Sequence, residues 1–461
     1  MSEINKKKVI FNEVLEEIPD YQEFMTVEEL DNSSKKLADE FKNVELINIG
    51  KSGLGIPILC LKIGNGKNNA LLFAFPHPNE PIGSLTVEFL SRYLAENPDI
   101  TEKLGYTWYM IKAIDPDGAV LNQGWFKGKF DPLKYAKHYY RPPSHEQIEW
   151  TFPIKYKKLI FSNPPPETQA LMNIIDDIKP KFMFSLHNAG FCGVYWYFSH
   201  EIKEMFSPLA RLVEQEQLPL HRGEPETQYL KELHPAIFQL FGIKETYDFY
   251  EETGVKDPQE LIKCGTSSDD YLKRATNEQG FTLVCEMPYF YDKALDNDSL
   301  SDYNRREKIL ELLNYYKEIH EYAKNIFDSI REHCNPSSRI FTSTVDFIDN
   351  FGKRLEPEIQ YAKTTEKYEG KATIAQAFDT MVASRYYSSF RLAMLGRLCE
   401  EIMISHPELK DKVLGIKPEL DLRVQQIVDD VLNQTDFEVI PIQKLVKVQI
   451  GSALIAIQNL K

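Results

Sequence analysis

The sequence predicts an α/β fold in which a mixed parallel and antiparallel sheet is flanked by helices and followed by a C-terminal helical extension. Short β-branched and aromatic runs alternate with helical periodicity over roughly the first two thirds of the chain. One of them, Ala70-Leu71-Leu72-Phe73-Ala74-Phe75, is apolar at every position, the pattern of a strand covered on both faces. Beyond Cys334-Asn335-Pro336-Ser337-Ser338 strand-like alternation gives way to helical periodicity.

In chain order, Thr26 and Glu29 form a Thr-x-x-Glu capping box ahead of Leu30, Leu37 and Phe41, so an amphipathic helix starts near Val27. The runs 44–49 and 56–63 flank Gly50-Lys51-Ser52-Gly53-Leu54-Gly55, the signature of a hairpin. After the buried run come a helix near 82–94, a strand near 107–114, a helix near 168–178 and a strand over 182–186. The strand Phe281-Thr282-Leu283-Val284-Cys285 is expected to end by Pro288, which has no N–H for a ladder. Segment 301–333 reads as helical, as do 374–405 and 420–432. The chain is therefore expected to divide into a sheet-bearing domain, 1–335, and a helical extension, 339–461.

A chain of 461 residues holds about three domains, or one large domain with an extension. With 43% hydrophobic, 27% charged and 12% aromatic residues, disordered and fibrous classes are excluded. A net charge of -15 argues against nucleic acid or an anionic membrane as an unaided partner. Apolar stretches fall short of the ~20 residues that span a bilayer. Met1-Ser2-Glu3-Ile4-Asn5-Lys6-Lys7-Lys8 lacks the apolar core of a secretory signal, so a cytoplasmic location is expected. The six cysteines are dispersed without a Cys-x-x-Cys pair and read as reduced thiols, mostly in the core.

The chemistry-bearing residues cluster where apolar strands run out, which is where open α/β sheets place their ligands. Phe75-Pro76-His77-Pro78-Asn79-Glu80 puts an imidazole and a carboxylate directly after the buried strand. The spacing equally suits a loop histidine capped by an acid, and His221-Arg222-Gly223-Glu224 repeats it with no strand before it. Phe184-Ser185-Leu186-His187-Asn188 brings a second histidine to a strand end, where backbone groups alone can satisfy it. Together His77, Glu80 and His187 make the three-ligand set of an open zinc site. Alternation along 281–286 sends Glu286 to the rim, where a carboxylate can take a proton from metal-activated water, or stand as a solvated acid.

With these residues in place the chain resembles the zinc carboxypeptidase (funnelin, metallocarboxypeptidase A-like) family over roughly residues 21–325. The likeness lies in the first helix, the hairpin at Ile49-Gly50-Lys51-Ser52 and Gly55-Ile56-Pro57-Ile58, and His77-Pro78-Asn79-Glu80. It continues through Asp115-Pro116-Asp117-Gly118, which is similar to the family's Asn-Pro-Asp-Gly turn, Ser185-Leu186-His187-Asn188, Gly265-Thr266-Ser267-Ser268-Asp269-Asp270-Tyr271, and the strand ending in Glu286. The resemblance implies one Zn2+ per chain held by His77, Glu80 and His187, with Glu286 as general base and then acid. Arg141 is the arginine placed to polarise the scissile carbonyl or to hold a substrate carboxylate, and the family's Asn-Arg clamp is missing. Lys127 and Lys129 read as surface lysines on a loop before they read as a second positive charge for the site, and Tyr247 or Tyr250 would have to stand in for the family's capping tyrosine. Asp269 and Asp270 are open to two readings, acids favouring a basic substrate group or acids taken up in hydrogen bonds as in the family's loop.

The expected function is zinc-dependent hydrolysis, first as a metallocarboxypeptidase removing a C-terminal residue from a peptide. The alternatives are a zinc amidohydrolase acting on an acylated amino acid or side-chain amide, and a catalytically silent metal- or peptide-binding protein. The expected partner is a peptide or amino-acid amide, with no nucleic acid and no membrane, and the C-terminal helices offer apolar faces for a homo-oligomer. Cutting the chain after about residue 335 is expected to leave a soluble zinc-binding protein of altered oligomeric state.

Overall fold

In the computed structural model, which describes residues 11–460, a ten-stranded mixed sheet organises the chain. The segment Met1–Lys8, on which the expectation of a cytoplasmic location rests, lies outside the described residues. Across the sheet the strands run Val44–Lys51, Pro57–Ile63, Tyr106–Ile111, Asn68–Ala74, Phe182–Phe191, Phe281–Tyr291, Tyr195–Phe198, Ile237–Gln239 and Glu232–His234, with Glu438–Val439 added to the end of Phe281–Tyr291. The four strands from Tyr106–Ile111 to Phe281–Tyr291 are parallel, the hairpin runs antiparallel within itself and to Tyr106–Ile111, and Tyr195–Phe198 runs antiparallel to Phe281–Tyr291 but parallel to Ile237–Gln239. The mixed α/β architecture is as the sequence predicts.

The apolar run works as expected of a doubly covered strand. Ala70, Leu72 and Ala74 join the large core on one face, while Leu71 and Phe73 pack into a second core beneath helices Pro166–Ile178 and Ser268–Thr276 on the other. On the first face lie helices Val27–Glu40, Ile82–Glu96, Phe206–Gln215 and Ile442–Asn459. The Thr26/Glu29 capping box starts the first of these, with Thr26 N donating to Glu29 Oε2 at 2.7 Å. Helix Ile82–Glu96 lies directly on the His187 strand because residue 83 is glycine: a Cβ there would stand 2.6 Å from Leu186 Cβ.

The dispersed motifs meet. Asp117 accepts from Ser52 Oγ at 2.6 Å and Leu54 N at 2.8 Å, tying the hairpin tip to the Asp115-Pro116-Asp117-Gly118 turn. Gly118 lets that turn pack on the His77 loop, since a Cβ would lie 2.7 Å from Pro78 Cβ.

Two strands run further than predicted. Phe182–Phe191 continues through His187 rather than stopping before it, and Phe281–Tyr291 passes through Pro288. Pro288 is tolerated because the antiparallel pairing to Tyr195–Phe198 ends at Glu286, so its missing N–H deprives no neighbour on that side. Beyond residue 339 the chain is helical apart from the short strands Lys371–Thr373 and Glu438–Val439. Its apolar residues, among them Ile340, Tyr386, Leu395, Val428 and Leu454, share one core with those of the sheet. Among the described residues no helix is long and apolar enough to cross a membrane. The six thiols are free, and all but half-buried Cys264 are buried.

Candidate metal centre

Strand register assembles the site. Ala74 pairs with Leu186, and His187 with Glu286, so the loop after Asn68–Ala74 and two side chains from adjacent parallel strands face one crevice. Residue 75 leaves the strand with φ +58°, which turns the chain sharply into the His77 loop. His77, Glu80, His187 and Glu286 are all buried.

One ligand atom from each of His77, Glu80 and His187 lies within 4.8 Å of the others. Glu80 is the hub: its Oε1 is 3.0 Å from His77 Nδ1 and its Oε2 3.0 Å from His187 Nδ1. The second carboxylate oxygen also accepts from Asn188 N at 3.2 Å, and Arg141 Nη1 donates to Oε1 at 3.4 Å. Glu286 Oε1 stands 3.8 Å from His187 Nδ1.

The surroundings of His187 fit a metal ligand. Ser185 Oγ donates to Glu149 Oε2 at 2.8 Å, so the 2.9 Å bond between Ser185 Oγ and His187 Nε2 must have the imidazole as donor. Glu149 is held in turn by Ser268 N at 3.3 Å and by the Ser268 hydroxyl. A proton on Nε2 leaves the Nδ1 lone pair for a cation, and a carboxylate behind the ring is the usual support for a metal-bound histidine. His77 also turns Nδ1 to Glu80, and its buried Nε2 has no partner. Two imidazole nitrogens and one carboxylate are the donor types zinc takes in catalytic sites.

Charge is strongly coupled here. Burial, and then Arg141, bring His77 down to about 4. Burial opposes charge on His187 too, but its bonds to Glu149 and Glu80 outweigh this and hold it up to about 10. Burial would raise Glu80, yet the two histidines bring it well below the ordinary carboxylate range. Glu286 is lifted well above that range, first by burial, with Glu80 and Glu226 adding and His187 and Arg141 opposing.

A cavity of about 460 Å³ opens over these residues. Of the sequence-predicted site residues, His77, Glu80, Arg141, His187 and Glu286 all line it. The others do not. Lys127 is bound to Glu29 at 2.7 Å and Glu23 at 3.3 Å on the surface, and Lys129 is also exposed. Tyr247 and Tyr250 are core residues packed with Ile154 and Ile243. Asp269 is buried and paired with Lys273 at 2.7 Å, and Asp270 accepts from the Thr266 hydroxyl, so neither faces substrate space. His221, set aside in sequence as a repeat of the spacing, does line the cavity, with Nε2 3.1 Å from the Glu224 carbonyl. Sequence reasoning missed Glu149, Glu226 and Tyr195, which follow no spacing rule. Glu226 is bound to the Tyr195 hydroxyl, next to Glu286 across the sheet.

Fold and site together define an α/β protein with a candidate two-histidine, one-carboxylate metal centre at the carboxyl ends of parallel strands. The sequence profile of the zinc carboxypeptidases matches residues 30–291, and the chain belongs to that family. No curated protein matches the sequence. Among solved structures it is similar to a metallo-carboxypeptidase from Burkholderia cenocepacia, at 17% identity over 57% of this chain and 60% of that one, with a TM-score of 0.35. It is also similar to carboxypeptidase A from Helicoverpa armigera, at 14% identity over 62% and 71% of the two chains, with a TM-score of 0.39. For bovine thrombin-activatable fibrinolysis inhibitor the values are 13%, 57%, 86% and 0.35.

Proposed function

We propose that this chain is a zinc-dependent hydrolase of the metallocarboxypeptidase type, cleaving an amide bond at a metal held by His77, Glu80 and His187. The observation that carries this reading is the convergence of three ligand atoms within 4.8 Å, with the Glu286 carboxylate 3.8 Å from His187. A zinc ion there would supply a Lewis acid for the scissile carbonyl and for an attacking water. Glu286, 3.8 Å from His187 Nδ1, would take the water's proton and return it to the leaving amine. Arg141, half-buried with Nη1 3.4 Å from Glu80 Oε1, would offer its guanidinium to the oxygen on which charge develops. Ser185 and Glu149 hold the His187 ring in one tautomer throughout.

Glu286→Gln keeps the shape and loses the base. It should retain zinc by elemental analysis while amide hydrolysis falls roughly 10²-fold or more. Zinc-loaded mutant protein with wild-type turnover refutes the assignment.

A second reading, hydrolysis of an acylated amino acid or amide with no clamp on a free carboxylate, has one observation in its favour. Arg141 is the sole arginine or lysine lining the cavity among the described residues, and it faces Glu80. Matched substrates with free and amidated C-termini separate the two readings.

A further inference from the structure

The sheet-bearing part of the chain does not wall the cavity alone. Glu358, Asp379, Ser384, Tyr387 and Phe390, all from beyond residue 339, line it together with the metal-centre residues. They are fastened to the loops that carry the chemistry. Phe390 stacks on Tyr139, two residues before Arg141, with ring centroids 4.3 Å apart. The Arg141 carbonyl accepts from Ser343 Oγ, and Ser144 N donates to Asp346 Oδ2 at 3.0 Å. Arg397 donates to the carbonyls of Leu121, His138 and Tyr139 at 2.9 to 3.0 Å. Toward the His187 strand, the Tyr387 hydroxyl accepts from Phe191 N at 3.0 Å, and a Cβ on Gly190 would come within 3.2 Å of its ring.

The same segment reaches the opposite wall. Asp379 Oδ2 accepts from Glu224 N at 2.8 Å, and Ser384 Oγ donates to Asp379 Oδ1 at 3.2 Å. Glu224 is bound by both arms of Arg305, at 2.8 and 2.6 Å. A continuous arc of packed and hydrogen-bonded side chains therefore runs from the Arg141 loop, past the end of the His187 strand, to the 221–228 loop.

A hydrolase acting on a polypeptide end needs one residue inside and an unobstructed path for the rest to trail away. Here the cavity, at about 460 Å³, is of the size that holds a drug-sized molecule, roughly 300–1,000 Å³. On the Arg141, His187-strand and 221–228 sides a trailing chain meets this arc, whose groups are already satisfied by protein contacts. We infer, on the hydrolase reading above, that the substrate is small: an amino-acid conjugate or a peptide of about two or three residues, not the end of a polypeptide.

The test uses the full-length, zinc-loaded chain and a peptide series with one common C-terminal dipeptide, lengthened at its N-terminus from a blocked dipeptide to an octapeptide. Free and amidated versions of each are followed by chromatography. The expected result is that kcat/KM falls by at least about tenfold beyond three residues, the scale of steric discrimination in a pocket. Phe390→Ala, which opens the arc at the Tyr139 stack, should reduce that ratio without loss of zinc. A kcat/KM that stays level or rises with length overturns the inference while leaving the hydrolase reading intact. Absence of turnover on the whole series by zinc-loaded protein overturns the hydrolase reading and this inference with it.

Discussion

Ending the chain at Asn335 should abolish folding, not release a smaller soluble enzyme. The magnitude follows from the last helix alone. Ile442–Asn459 buries Leu445, Val446, Val448, Ile450, Leu454, Ile455 and Ile457 against the sheet face and its neighbouring helices. At about 1.5–3 kcal/mol for each fully buried side chain, these contribute about 10–20 kcal/mol, an upper value because unfolded chains already hide some apolar surface. Whole domains are stable by only about 5–15 kcal/mol, so the loss matches or exceeds the total. Deletion also strips partners from the site: Gln449 donates to the His187 carbonyl at 3.0 Å, and Ser452 Oγ accepts from Trp196 Nε1 at 3.1 Å. The assay compares full-length protein with chains ending at Asn335 and at Pro441, by solubility, size-exclusion chromatography, urea unfolding and zinc content. Aggregated or non-cooperative truncated protein is expected from both. A monodisperse chain ending at Asn335, with cooperative unfolding and one zinc, would refute the packing argument and restore the separable extension that residue patterning predicts.

His77→Ala, Glu80→Gln and His187→Ala should each leave folded protein with far less than one equivalent of zinc, and full occupancy in all three would place the metal elsewhere. Zinc uptake should release protons. His187, held up to about 10, is protonated at neutral pH and must lose that proton to become a ligand, so affinity rises with pH up to that value and weakens as pH falls. Titration calorimetry in buffers of different ionisation enthalpy should detect about one proton or more per zinc near pH 7, and a buffer-independent enthalpy would contradict it. Gln449→Leu removes two buried bonds, to the His187 carbonyl and from Thr86 Oγ1 at 2.6 Å, while Thr86 keeps the Ile82 carbonyl. At about 1 kcal/mol net per bond, plus a penalty for the deprived carbonyl, urea unfolding should show a loss of about 2–4 kcal/mol. A change under about 0.5 kcal/mol would mean that this link is idle.

What could be read from the residues in advance was whatever local pattern decides. Unbroken apolarity marks Asn68–Ala74 as doubly covered, a capping box starts Val27–Glu40, and the ends of apolar runs mark where His77, His187 and Glu286 stand. That these three meet depends on pairing between strands about a hundred residues apart, in a register that sets His187 beside Glu286. Spacing along the chain carries no such information, and the family resemblance supplied it. The errors fall where the neighbouring strand decides the outcome. Pro288 breaks a ladder only if a partner expects its N–H, and the strand opposite has already ended. Between the two readings of Asp269 and Asp270, pocket acids or acids bound inward, the local sequence does not choose, and Lys273 and Thr266 take both carboxylates inward. Beyond residue 339 the change of periodicity predicts a separate helical body. Periodicity reports only that one face of a helix must be covered. What covers it, here the sheet and the cavity wall beside Arg141, is settled by shape complementarity among residues far apart in the chain. The substrate question thus turns on side chains such as Phe390 and Tyr387, which carry no catalytic signature in sequence and act through the space they occupy.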